Sequence, residues 1–165
     1  MPASGKSTVG VILAKILGMD YLDTDILLQQ RTGKKLSDII EDHGIDAFLK
    51  SEEETLLSIN ATDTVISTGG SAIYSEKAVR HLKKGSHIIY LDVNSEELKK
   101  RLNDIKQRGV VLRQNETFDE MFRTRTGLYK KYADITVCED GLTLEDTVQK
   151  LIDELNEQKQ LGDRS

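Results

Sequence analysis

The run Gly5-Lys6-Ser7-Thr8, standing directly ahead of a helix-period stretch, constrains this chain more than any other feature. It matches the second half of the phosphate-binding pattern G-x-x-x-x-G-K-[ST]. Such a loop needs a strand to deliver it, a turn whose backbone N–H groups converge, and a helix whose positive end faces the same point. The helix is legible: Val9, Ile12, Leu13, Ile16 and Leu17 recur at helical spacing and Gly18 supplies a stop. The pattern's first glycine falls one position ahead of Met1, so the strand expected to feed the loop, the first and central one, would lie before Met1.

Downstream, short β-branched runs alternate with helical ones. Tyr21 to Thr24 reads as extended and Asp25 to Arg31 as a helical turn closed by Thr32-Gly33. Ser37 is suited to cap a helix ending at Gly44, and Asp46 to open another towards Asn60. Thr64 to Ser67 forms a second strand that runs into Gly69-Gly70. A helix over Ser75–Lys83, a strand over His87–Leu91 and a charged helix from Ser95 follow. Gln107 to Thr117 has no period and reads as a lid loop. A helix from Phe118 to Tyr132, the strand Ile135 to Cys138 and a helix capped by Thr143 complete the order, with a frayed tail from Glu157.

This alternation predicts an α/β domain of three layers, a parallel sheet with helices on both faces. At 165 residues one domain is expected, spanning about 1–158, with substrate-binding helices near 26–60. The longest apolar stretch, Val9 to Met19, is interrupted by Lys15 and too short to span a bilayer, so no membrane partner is expected. A net charge of −5 argues against a nucleic-acid surface and for a small-molecule partner held by a local cluster of cations. The single cysteine, Cys138, cannot make an internal disulfide and suits a mid-strand buried site, which favours the cytoplasm; a monomer is expected.

In the loop itself, the amides of Ser4 to Thr8 and the Lys6 ammonium suit the phosphates of ATP, and the Ser7 hydroxyl suits Mg²⁺. Asp23 and Asp25 end the strand that follows the first helix, where ligands gather in an open α/β sheet. The expectation is that the two carboxylates serve different partners, one the metal's water shell and the other a substrate hydroxyl. The competing reading is that Asp25 merely caps the short helix beginning at Ile26. Gly69-Gly70 presents amides to a substrate or simply turns the chain. Arg101, Arg108, Arg113, Arg123 and Arg125 flank the irregular loop, and phosphoryl transfer needs cations around the moving group.

Taken in order, MPASGKSTVG, LDTD, the Thr32-Gly33 turn, STGG, Arg101, Arg108 and RTRTGLYKKYADITV resemble the shikimate kinases, small P-loop kinases related in fold to the nucleoside-monophosphate kinases. The resemblance covers nearly the whole chain. It implies transfer of the γ-phosphoryl of ATP, with Mg²⁺, to the 3-hydroxyl of shikimate in aromatic amino-acid biosynthesis. It gives Asp25 the accepting hydroxyl, Asp23 the metal beside Ser7, Gly69 and Gly70 the acceptor pocket and Arg125 the substrate carboxylate. Arg108 would reach the phosphates as a catalytic cation alongside Lys6, and Arg101 would lie near adenine.

Three positions depart from the family pattern. Leu49 stands where the family has an arginine, after a Phe and before a Glu, that binds the carboxylate. Ser71 replaces a third glycine and Gly109 replaces the proline after the lid arginine. Loss of a fork-shaped carboxylate partner is not conservative. Two alternatives follow: a kinase of another small polyol or hydroxy acid, or a truncated nucleotide-binding relic without catalysis.

Overall fold

The computed structural model describes residues 1–103 and 116–162. The loop runs straight into α1 (Lys6–Leu17), followed by β1 (Asp20–Asp23), α2 (Thr24–Thr32) and the long α3 (Leu36–Leu57). Then come β2 (Thr64–Ser67), a 3-10 turn over Ala72–Tyr74, α4 (Glu76–Leu82), β3 (Ile89–Asp92) and α5 (Ser95–Asn103). The chain closes with α6 (Phe118–Tyr132), β4 (Ile135–Cys138) and α7 (Leu144–Gly162). α7 continues past Glu157, where the sequence suggests fraying.

All four expected strands form and all pairings are parallel, but they make two two-stranded sheets rather than one. β1 lies beside β2 with Asp23 opposite Ser67, and β3 beside β4 with Asp92 opposite Cys138. Among the described residues β2 and β3 each have one edge that pairs with no strand. Met1 is buried against Val93, just past β3, while Pro2 closes on Gly70, just past β2. The first residues therefore run between the C-terminal ends of the two sheets, where the phosphate loop begins.

α1 ties the halves together. Val9 and Leu13 pack with Leu91, Ile135 and Val137 of the second sheet and with Val148 and Leu151 of α7, and Val65 of the first sheet joins the same cluster. Gly10 permits this: a methyl group there would lie 2.6 Å from Ser67 Oγ and 2.9 Å from the Tyr21 ring. Ser67 Oγ then donates to the Lys6 carbonyl at 3.2 Å, fixing β2 against the helix start.

Around α3 the expectations are corrected. Its N-cap is Lys35, not Ser37, whose hydroxyl donates to its neighbour Asp38. At Gly44, by contrast, the expected break is present: the glycine leaves helical geometry at φ +80° and ψ 171°, so α3 is two helical segments meeting at a kink, in a conformation glycine adopts without a Cβ penalty. Leu28, Ile39 and Phe48 bury where α2 crosses α3. Cys138, expected inside, ends β4 on the exposed side. Thr117 and Glu120 form a reciprocal capping box at the start of α6, and Ser75 caps α4 as its type predicts.

Candidate active site

A cavity of about 570 Å³ opens along the C-terminal ends of β1 and β2. Its wall includes Gly5 to Thr8 of the loop, Asp23 and Asp25, Thr68 to Ser71, Arg125, and a flank from α2 and α3. Most of the residues singled out in the sequence converge here.

The loop shapes the nucleotide end. Gly5 adopts φ +80°, which turns the chain into α1 at no steric cost, and Ser4 is fully buried with its hydroxyl donating to the Met1 carbonyl at 3.0 Å. Ser4 is therefore not part of the cavity wall. Lys6 Nζ donates to the same carbonyl at 2.6 Å. Burial lowers the lysine's pKa, while the Asp25 and Asp23 carboxylates push it back up.

Asp23 resolves the question of which acid caps. Its Oδ1 accepts from the amides of Asp25 at 2.9 Å and Ile26 at 3.4 Å, so Asp23 is the N-cap of α2. Its other oxygen, Oδ2, accepts from Ser7 Oγ at 2.8 Å. Asp25, relieved of capping, sits in the first turn of α2 and lines the cavity. The adjacent hydroxyl and carboxylate oxygens of Ser7 and Asp23 suit a hard cation that keeps most of its ligands from water and phosphate. Among the described residues no cluster of three or more acidic, histidine or cysteine side chains forms a dedicated metal cage.

At the other end, the glycines are required by crowding rather than by turn geometry. A Cβ on Gly69 would collide with Glu52 Oε1 and would lie 2.8 Å from Asp25 Oδ1; one on Gly70 would lie 3.1 Å from Arg125 Nη1. The Gly69 amide is already committed, donating to Thr24 Oγ1 at 3.1 Å, and the Gly70 carbonyl accepts from Tyr129 at 2.6 Å. Arg125 is 1% exposed; its Nε donates to the Tyr74 hydroxyl at 3.1 Å and its guanidinium lies 5.1 Å from the centre of that ring.

Glu52 is the participant that sequence reasoning missed. It is buried at 4% exposure on α3, Oε1 has no hydrogen-bond partner among the described residues, and burial raises its pKa from 4.5 to about 7. The Ser71 hydroxyl bonded to it and the charge of Arg125 oppose the rise; Asp25 adds to it. Ser71, the third-glycine departure, thus spends its hydroxyl on Glu52. The available signal was a carboxylate on the apolar stripe Ile45, Phe48, Leu49, Glu52, Leu56. Leu49 itself turns towards Leu28, Ile39 and Phe48 and is not part of the cavity wall.

Arg101 is half-buried, held by Glu97 at 3.0 Å and Glu139 at 3.6 Å, and its Nη1 donates to the Ala3 carbonyl at 3.4 Å. That puts it against the back of the phosphate loop. Arg108, Gly109 and most of the expected lid lie outside the described residues.

The family model for shikimate kinase matches residues 2–156. This chain belongs to the shikimate kinase family. It is 33% identical over 159 residues to the shikimate kinase of Rhodococcus jostii, covering 94% of each chain. To that of Clostridium botulinum it is 37% identical over 142 residues, 84% of this chain and 83% of the other. In structure it is similar to the shikimate kinase of Aquifex aeolicus, with TM-score 0.82, 31% identity and coverage of 96% and 94%. Similarity is equally close to the Acinetobacter baumannii enzyme in complex with shikimate, with TM-score 0.85, 28% identity and coverage of 95% and 89%. As a member of the family the chain is an ATP-dependent phosphotransferase with an alcohol acceptor. No helix among the described residues is long and apolar enough to cross a membrane.

Proposed function

We propose that the chain transfers the γ-phosphoryl of ATP to the 3-hydroxyl of shikimate, with Mg²⁺ as the accompanying ion. The observation that carries the reading is that Lys6, the Ser7–Asp23 pair, Asp25 and Arg125 line one cavity. A phosphate cradle, a cation's oxygen ligands, an acid for an incoming alcohol and a guanidinium for a carboxylate are thereby within one substrate's reach.

Phosphoryl transfer asks little covalent chemistry of the protein, so the residues act by positioning and by charge. The amides of Gly5 to Thr8 and the start of α1 hold the terminal phosphates, and Lys6 balances charge building on the transferred group. Ser7 and Asp23 would hold Mg²⁺, which supplies further neutralisation of the phosphate oxygens. Asp25 orients the attacking hydroxyl and accepts its proton. Its own amide bond to Asp23 Oδ1 fixes the turn that carries it, so metal ligand and base keep a constant offset. Arg125, braced by Tyr74, takes the acceptor's carboxylate as a fork. By resemblance Arg108 adds a second cation at the phosphates and Arg101 lies towards adenine. The reading requires a compartment that supplies ATP, the cytoplasm, and no partner chain, so the protein works as a monomer.

The test is ADP release coupled to shikimate addition. Turnover that depends on shikimate, MgATP and Asp25 together supports the assignment. Leu49 favours a second reading, in which a different small hydroxy acid is the acceptor. Turnover of another acceptor with none on shikimate would overturn the first reading in favour of the second. ADP release with no acceptor at all would support neither.

A further inference from the structure

Among the described residues lining the cavity three are cations: Lys6, Lys35 and Arg125. Two are already engaged. Lys6 is tied to the Met1 carbonyl within the loop, and Arg125 is buried against Tyr74. Lys35 is exposed; its carbonyl accepts from the Ile39 amide at 3.1 Å, but among the described residues its side chain makes no hydrogen bond and no ion pair.

Its place in the fold is otherwise unfavourable. Lys35 is the N-cap of α3, with extended backbone at φ −71° and ψ 155°, and its side chain caps nothing. Serine, threonine, asparagine or aspartate there would satisfy an orphan amide of the first turn, whereas a cation opposes the positive end of the helix. A residue that breaks two local rules without a compensating contact points to a use outside the helix.

The charges around it indicate the use. Asp23, Asp25 and Glu52 line the same cavity, so an acceptor bearing a carboxylate enters against three acids. Leu49 brings no counter-charge, because it packs into the apolar cluster between α2 and α3. Lys35, which shares the cavity wall with Leu36, Ser37 and Gln29 and is exposed to solvent, is the cation of that wall with an unengaged side chain among the described residues. A lysine acts there as a flexible point charge, able to follow a carboxylate in from solvent.

We propose that Lys35 receives the carboxylate of the hydroxy-acid acceptor, sharing it with Arg125, and so sets the affinity and the charge selectivity of the acceptor site. This rests on the assignment of shikimate as the acceptor. It makes Lys35 a binding residue with no part in the transfer step.

The experiment compares the unaltered protein with Lys35→Ala, Lys35→Ser and Lys35→Arg, varying shikimate at saturating MgATP. Both uncharged variants are expected to raise the KM for shikimate roughly three- to tenfold, the range of a partly exposed charge pair, with kcat and the KM for ATP unchanged. Lys35→Arg should keep the original KM. Salt should raise the KM of the unaltered protein and leave that of Lys35→Ala almost flat. Lys35→Ser restores a capping hydroxyl, so its Tm should equal or exceed that of the unaltered protein while its acceptor KM rises, a combination that a purely structural lysine does not produce. An unaltered enzyme active on shikimate whose Lys35→Ala and Lys35→Ser variants keep that KM overturns this proposal alone. An unaltered enzyme inactive on shikimate overturns the acceptor assignment and this proposal with it.

Discussion

Replacing Glu52 by glutamine tests the electrostatics of the acceptor wall without touching the nucleotide loop. The glutamate titrates near 4.5 in an unfolded chain and at about 7 in the folded one. Between those values the native state holds a proton that the unfolded chain has released, so stability declines as pH rises and stays low above about 7. At about 1.4 kcal/mol per unit, the full shift costs about 3 kcal/mol, most of it developed between about pH 5 and pH 8. Glutamine keeps the shape and has no charge to bury. Urea unfolding of both proteins across that range should therefore give midpoints that nearly coincide at the acid end and diverge at the alkaline end. Glu52→Gln should be more stable there by about 2 to 3 kcal/mol, at equal m-value. Because Asp25, Arg125 and the remaining groups are common to both proteins, the difference isolates position 52. A difference that does not change with pH refutes the reasoning.

Asp25→Asn should lower kcat by at least about a hundredfold in the coupled assay, since the hydroxyl loses its proton acceptor, and should leave Tm nearly unchanged, because relief of repulsion with Glu52 is offset by loss of the charge that faces buried Lys6. Gly69→Ala should cost roughly 1 to 3 kcal/mol in chemical denaturation and most of the activity together, as its methyl group drives the Glu52 and Asp25 carboxylates apart. Gly10→Ala should destabilise by a similar amount by forcing α1 off Ser67 and Tyr21, whereas Gly127→Ala, with open space in the middle of α6, should gain about 0.5 to 1 kcal/mol; equal effects of the two would refute the close approach of α1 to the sheet.

The sequence carried the order of elements because period and caps are local. Val9, Leu13 and Gly18 define α1, Ser75 opens α4, and Thr117 with Glu120 opens α6, each within one or two turns of itself. It offered Asp25 as the cap of the short helix, where the structure has Asp23. An aspartate suits either place, and Ser7, sixteen positions away, anchors Asp23 in the extended conformation a cap requires. Ser37 lost its role to Lys35 for a related reason: helix starts follow where α3 can bury Ile39 and Phe48 against Leu28, even when the better capping residue lies two positions on. Pairing of strands into two sheets, the exposure of Cys138 and the burial of Glu52 are long-range outcomes that one-dimensional periodicity does not encode. The candidate site was legible to the extent that its members sit at strand ends, which named Asp23, Asp25, Gly69 and Gly70. Its remaining wall comes from one side of α3, where an acid among apolar neighbours was the clue.

One carboxylate, that of Asp23, grips the loop hydroxyl with one oxygen and the opening turn of α2 with the other. Nucleotide site and acceptor site thus share a rivet. Under the proposed function, an ion that drew Ser7 and Asp23 towards the phosphates would tug on the backbone bearing Asp25, and linkage would oblige that influence to run equally in both directions.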